Sequence, residues 1–251
     1  MQRYASKAVL VTGAAGGLGS AMCRRFASEG AHVAAMDIDA ARLETTCTQL
    51  RELGFDVRPF ELDVTDAEAF ERQVARVVDE FGQIDVAVNN AGMGGDMTPL
   101  AEYPVAMWNR VMTVNVSSVF HGMRAQIPHM LKQGHGAIVN IASIMGCVAM
   151  PSIAPYVASK HAVVGLTKGA ALDYGRAGLR INAVGPSFVR TGFTAASLPD
   201  DSTWDSLADR HALTGTATPD DIAAAVAYLG SDDARFVTGS LYLVDGGYTA
   251  T

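Results

Sequence analysis

Residues 141–167 read IASIMGCVAMPSIAPYVASKHAVVGLT, with Tyr156 four places before Lys160 and thirteen after Ser143. In a helix that begins after Pro155, the four-residue step puts the phenol and the ammonium one turn apart on the same face. A phenol with an ordinary pKa of about 10 exchanges protons poorly at neutral pH, and an adjacent ammonium favours the phenolate and draws that value down. Ser143, just past a strand-like run, is placed to hydrogen-bond the same oxygen and fix its position. The trio is equipped to exchange a proton with a hydroxyl or carbonyl oxygen. The same tyrosine-to-lysine spacing also arises where an interface tyrosine stands beside a solvated lysine, so other signals must decide.

A second group lies near the start of the chain, where TGAAGGLG places Gly13, Gly17 and Gly19 between a strand-like run and a helix carrying Met22 and Phe26. Glycines there permit a tight turn and let backbone N–H groups meet a pyrophosphate at a helix N-terminus. Asp37 ends the second strand, eighteen residues past Gly19, placed to accept hydrogen bonds from a ribose diol. A carboxylate there repels a 2′-phosphate, and AMDIDA and the glycine turn hold no Arg or Lys, so NAD is preferred over NADP. A bound nicotinamide would give the phenol a partner, with hydride moving at carbon while Tyr156 handles the proton. Asp63 of LDV falls at the expected adenine edge or caps a turn. Asn89 to Gly92 (NNAG) line the same crevice or end the fourth strand.

These groups need a frame. Runs rich in Val and Ile at 8–12, 32–37, 56–61, 86–90, 136–141, 179–184 and 240–244 alternate with segments of helical period. Several runs are apolar on both faces, as in a parallel sheet covered by helices on both sides. From Ala67, the residues Phe70, Val74, Val77 and Phe81 form one helical stripe. The expected fold is α/β: a single doubly wound Rossmann-type domain spanning 1–251, with a seven-stranded parallel sheet. Pro186 to Thr218 is weakly patterned and is expected to be a flap over the substrate. TPDD then restarts a helix, with Thr218 as N-cap and Pro219 as its first residue.

The chain has 251 residues, 49% of them hydrophobic, and a net charge of -7. No basic run is available to neutralise phosphates, so no nucleic acid is expected. No segment is apolar enough to span a membrane, and residues 1–8 hold no signal-peptide core, so the cytoplasm is expected. Cys23, Cys47 and Cys147 suit free thiols. Cys147 reads as a small apolar filler near Ser143. The histidines lack metal-ligand spacing, and no metal is expected.

TGAAGGLG, LDV, NNAG, VNVSS with Asn115, Ser143, YVASK, NAV with its proline loop, and VTGSLYLVDGG together resemble the short-chain dehydrogenase/reductase family. The resemblance runs from about Tyr4 to Tyr248. It implies a catalytic tetrad of Asn115, Ser143, Tyr156 and Lys160, the asparagine holding a water that links the lysine to a proton path. Read without the family, Asn115 is a polar residue in a long helix, where it makes a kink or a buried hydrogen bond. The resemblance also implies coenzyme contacts from Leu18, Ile38, Val64, Ala91, Gly92, Pro186, Val189 and Thr191 beside Gly13, Gly17, Gly19, Asp37, Asp63 and Asn89, with Tyr156 and Lys160 facing the nicotinamide and its ribose. The loop reads GPSFVRT, with Ser187 where family members usually have Gly; a positive φ there would cost serine about 1–2 kcal/mol.

Met93, Ile144, Met145, Met150, Ile153, Phe188 and Phe193 are the expected pocket wall, suited to a hydrophobic secondary alcohol or its ketone, alicyclic, aromatic or steroid-like. Arg190 and Asp96 would contradict this by pointing inward. The helix from Tyr156 is apolar most of the way round, and packing against a second subunit is one way to bury it; the family resemblance implies pairing through this helix and the preceding long one, in a homodimer or homotetramer. Two alternatives use the same frame: a 3-oxoacyl-thioester reductase, which would prefer NADPH and a basic patch, and a dinucleotide-binding regulator without turnover, whose usual mark is loss of the tyrosine or the lysine.

Overall fold

The computed structural model describes residues 2–195, 198 and 200–250. Seven strands form one parallel sheet: β1 (Ala8–Thr12), β2 (His32–Asp37), β3 (Val57–Glu61), β4 (Val86–Asn89), β5 (Gly136–Ile141), β6 (Leu179–Pro186) and β7 (Leu241–Val244). Their order is β3-β2-β1-β4-β5-β6-β7. β6 runs two residues past the expected Val184, because Gly185 and Pro186 pair with Leu243 and Val244. The expected doubly wound α/β fold is the one found.

The helices are α1 (Gly17–Ser28), α2 (Ala40–Glu52), α3 (Ala67–Phe81), α4 (Val105–Met112), α5 (Ser118–Gln133), α6 (Ala154–Tyr174), α7 (Gly192–Ala195), α8 (Asp201–Ala208) and α9 (Pro219–Gly230). Strand alternation divides the core. Val9, Val11, Val33 and Val88 pack with Met22 and Phe26 of α1, Leu43 of α2 and Ile222 of α9. Leu10, Met36, Ala87 and Ile138 face Phe70 and Val74 of α3, Met123 of α5 and Val163 of α6. Cys23 and Cys47 are buried free thiols.

The local signals act as chemistry requires. Thr218 and Asp221 cap α9 reciprocally, with Pro219 in the first turn. The chain leaves the fold body after Val189 and returns at Ala217, the two joined by an isolated parallel bridge. The excursion carries α7 and α8, and residues 196, 197 and 199 of the expected flap lie outside the described ones. Among the described residues no helix is long and apolar enough to cross a membrane.

Candidate active site

The order of strands reverses between β1 and β4, and a ligand crevice is expected at that switch, past the strands' carboxyl ends. A cleft of about 550 Å³ lies there, lined from the segments that follow β1 to β6. At one end is the glycine turn. Gly13 has φ +65°, and a Cβ there would lie 2.9 Å from Asn90 Nδ2. A Cβ on Gly19 would lie 2.0 Å from Gly13 O, so the helix rests directly on the turn. The N-terminus of α1 has no side-chain cap and no acidic residue in its first turn. Its free N–H donors, the helix dipole and the concave glycine surface of Gly16, Gly17 and Gly19 fit a pyrophosphate.

Asp37 stands at the rim. Its Oδ2 accepts from Ala15 N at 3.0 Å and its Oδ1 from Asp39 N at 3.0 Å. A carboxylate accepts about four hydrogen bonds, so capacity remains for two ribose hydroxyls. The residues present therefore fit a dinucleotide coenzyme. Leu18, Ile38, Asp63, Val64, Ala91, Gly92, Pro186, Val189 and Thr191 also line the cleft. Asp63 serves its turn as well, its Oδ1 accepting from Thr65 N at 2.9 Å and Thr65 Oγ1 at 2.7 Å.

Two cations on the cleft wall escaped the sequence reading. Arg42, in the first turn of α2, donates to Ala15 O at 3.1 Å and lies 4.0 Å from Asp39. Arg110 of α4 lines the wall and makes no ion pair among the described residues. Arg42 stands five residues past Asp37 and two past the AMDIDA stretch, and Arg110 is brought in by tertiary folding alone.

Asn89 corrects an expectation. It does not line the cleft; its amide donates to Asn140 Oδ1 at 2.9 Å and accepts from Gln126 Nε2 at 2.9 Å in the buried layer under α5. The next residue, Asn90, lines the cleft instead and donates to Thr12 O at 2.8 Å.

Past the middle of the cleft stand Ser143, Tyr156 and Lys160. Ser143 follows β5 in extended backbone, and its Oγ accepts from Met145 N at 3.1 Å. Lys160 is 5% exposed; its Nζ donates to Ile141 O at 2.9 Å and lies 5.5 Å from the Tyr156 ring centroid. Asn115 sits in a widened helical turn, Thr113–Ser117, between α4 and α5. Its Oδ1 accepts from Met93 N at 2.8 Å, and its Nδ2 donates to Met93 O at 2.8 Å and Ser159 Oγ at 3.0 Å. A Cβ on Gly92 would lie 3.3 Å from Asn115 Oδ1 and 3.7 Å from Lys160 Nζ, so both converge behind that glycine. Asn115 lies behind the lining rather than in it.

The electrostatics of the free chain differ from the expected pairing. Burial pushes the Tyr156 phenol up to about 12, the Ser143 hydroxyl working against it. Burial also draws Lys160 down to about 8. The ammonium lies over the ring face, 5.5 Å from its centroid, and desolvation rather than the lysine governs the phenol in the free chain.

All seven expected wall residues, Met93, Ile144, Met145, Met150, Ile153, Phe188 and Phe193, line the far end. Phe193 of α7 reaches across, 3.7 Å from a Cβ built on Gly94 and 6.3 Å between ring centroids from Tyr156. Asp96 is not in the lining, and Arg190 turns away to Asp201 at 2.7 Å and the Trp204 ring. Ser187 has no positive φ, so serine carries no strain there. Cys147 is exposed and outside the lining, not the filler it was read to be.

Comparison with known proteins agrees with this geometry. A family model described as enoyl-(acyl carrier protein) reductase matches residues 13–249. Cyclohexanol dehydrogenase from Acinetobacter sp. (strain SE19) is 36% identical over 248 residues, covering 99% of this chain and 97% of the relative. A crystal structure of NAD+-bound xylitol dehydrogenase is 34% identical with a TM-score of 0.93, covering 97% of this chain and 99% of that one. A gluconate 5-dehydrogenase from Burkholderia cenocepacia J2315, in complex with NADP and tartrate, is 31% identical with a TM-score of 0.94, covering 100% and 98%. Sequence, sheet order and cleft therefore lead to one conclusion: the chain belongs to the short-chain dehydrogenase/reductase family of oxidoreductases.

Proposed function

We propose that the chain is an NAD(H)-dependent oxidoreductase that interconverts a hydrophobic secondary alcohol and its ketone. The observation that carries this reading is Tyr156, Ser143 and Lys160 gathered at the junction of a dinucleotide-shaped groove and an apolar pocket. A bound nicotinamide supplies the hydride acceptor or donor, and in its oxidised form a positive charge. Ser143 Oγ orients the substrate oxygen. Tyr156 Oη takes the alcohol proton in oxidation and returns it to the carbonyl oxygen in reduction. Lys160 keeps cationic charge beside the phenol and, with Asn115 behind it, bounds the proton path away from the substrate. Met145, Phe188 and Phe193 exclude water and select an alicyclic or aromatic carbon frame, in keeping with the cyclohexanol dehydrogenase likeness.

Asp37 supports NAD, and Arg42 on the same rim favours the second reading, acceptance of a 2′-phosphate. Steady-state rates with a panel of alicyclic alcohols in NAD and in NADP test both. NADH formation with cyclic alcohols at a kcat/KM at least tenfold above that with NADP supports the proposal, and turnover with NADP alone transfers the coenzyme assignment to Arg42. No turnover with any alcohol or ketone removes the reading.

The same proposal includes self-association through α5 and α6. Phe120 is 50% and Leu172 85% exposed, and Gly165 and Gly169 leave open space beside the α6 backbone. Light scattering of the wild type and Leu172→Lys tests this, with a dimer or tetramer expected and a monomeric wild type contradicting it.

A further inference from the structure

His211 follows α8, where the flap returns to the body of the fold, and it stands outside the cleft lining. Its Nε2 lies 2.9 Å from Ser187 Oγ, while its Nδ1 is buried with no partner among the described residues. An orphaned buried N–H is costlier than an unmatched lone pair. The favoured tautomer therefore keeps its proton on Nε2 and donates it to Ser187 Oγ.

The ring is fixed from several sides. Tyr248 lies 5.5 Å away and Phe188 6.4 Å away edge-on, between ring centroids. A Cβ built on Gly246 would lie 3.2 Å from His211 Cδ2, so the ring rests on that backbone. The next two residues continue the seam, with Ala212 N and Leu213 N donating to Gly246 O at 2.8 and 3.0 Å. Ser187 N donates to Val244 O at 3.2 Å, and its neighbour Phe188 is part of the cleft wall. The serine that departs from the family pattern thus gives His211 an oxygen that glycine could not supply.

We propose that His211 is a positioning residue: through Ser187 Oγ and the edge of Phe188 it latches the loop after β6 to the flap's return and holds that cleft wall in place. The proposal rests on the alcohol dehydrogenase reading for its kinetic consequence. Loss of the latch lowers the fraction of chains ready to bind, which weakens apparent affinity without touching the chemical step.

The test combines kinetics with amide hydrogen exchange on the free protein. His211→Phe keeps a ring between Phe188 and Tyr248 but loses the bond. It is expected to raise KM for an alicyclic alcohol about fivefold to tenfold, the scale of one neutral hydrogen bond, with kcat within about twofold. Ser187→Ala should raise KM similarly, the double variant should do no worse than either single change, and His211→Gln, which keeps a donor, should recover most of the loss. Exchange at Ala212, Leu213 and Ser187 should quicken in both single variants while the melting temperature falls by no more than about 2–4 °C. Unchanged KM and exchange, additive effects, or a fall in kcat alone would overturn the latch. Should His211→Phe not fold, Ser187→Ala decides by the same two readouts. A wild type that turns over no alcohol defeats the functional reading instead, and exchange then decides the latch by itself: faster exchange upholds it and equal exchange refutes it.

Discussion

At the glycine-turn end of the cleft, Asn90 Nδ2 donates to Thr12 O and Gly13 O at 2.8 and 3.2 Å, and Thr12 Oγ1 accepts from Asn90 N at 3.0 Å. Asp37 holds Ala15 N, and Gly19 lies against Gly13 O. At the flap end the wall is mostly apolar side chains, and Phe193 is 49% exposed. One end is built of backbone polar groups in fixed geometry and tolerates no added atom. The other is built of shape and hydrophobic area, where one side chain can change while its neighbours stay in place. The proposed catalytic groups stand where the two meet, just past the end of β5 and in the first two turns of α6.

The largest expected effect comes at the junction. Tyr156→Phe should lower kcat/KM by about 10²–10⁴, the usual worth of a positioned acid–base group, with coenzyme affinity by fluorescence titration within about twofold. Next comes Gly19→Ala, whose Cβ would fall 2.0 Å from Gly13 O. Coenzyme affinity should fall about 100-fold and stability by about 1–3 kcal/mol, the cost of overpacking; retained affinity would show that the turn is not the rigid end. Phe193→Ala should act on the other end alone, raising KM for an alicyclic alcohol about tenfold through lost apolar area and sparing coenzyme affinity. Equal effects on both ligands would erase the contrast between the ends. The smallest effect is expected outside the cleft. Ser152 has φ +65° and its O accepts from Thr98 N at 2.8 Å. Ser152→Gly relieves the left-handed strain and should stabilise the chain by about 0.5 kcal/mol in urea melts, with kinetics unchanged.

What the sequence made legible divides along the same line. The glycine turn, Asp37 and the tyrosine-to-lysine step are local patterns, and local patterns survive folding because their geometry is set by few residues. The seven strands were legible because their apolar runs are bounded by turns and helices on every side. Asn89 misled, although alternation carried the answer: it shares a strand face with Ala87, under α5, and lies in register with Asn140. Arg42 and Arg110 were not legible as site residues, since separate helices carry them to the wall. Asn115 was visible only through family resemblance, because a widened helical turn leaves no spacing signal. Burial reversed the expected shift of Tyr156, a quantity that sequence does not contain.

The central claim is that the Tyr156 oxygen carries the substrate proton. Its phenol is pushed up to about 12 in the free chain, so it is protonated at neutral pH. Alcohol oxidation needs the phenolate and should quicken as pH rises; ketone reduction needs the phenol and should not. The most direct measurement is single-turnover NADH formation from a saturating cyclic alcohol between pH 6 and 8, the range in which Lys160 keeps its charge, in the wild type and in Tyr156→Phe. The account predicts a rate that climbs with pH in the wild type and a flat profile, at least about 100-fold lower, in the variant. The same rising profile in both proteins would contradict it.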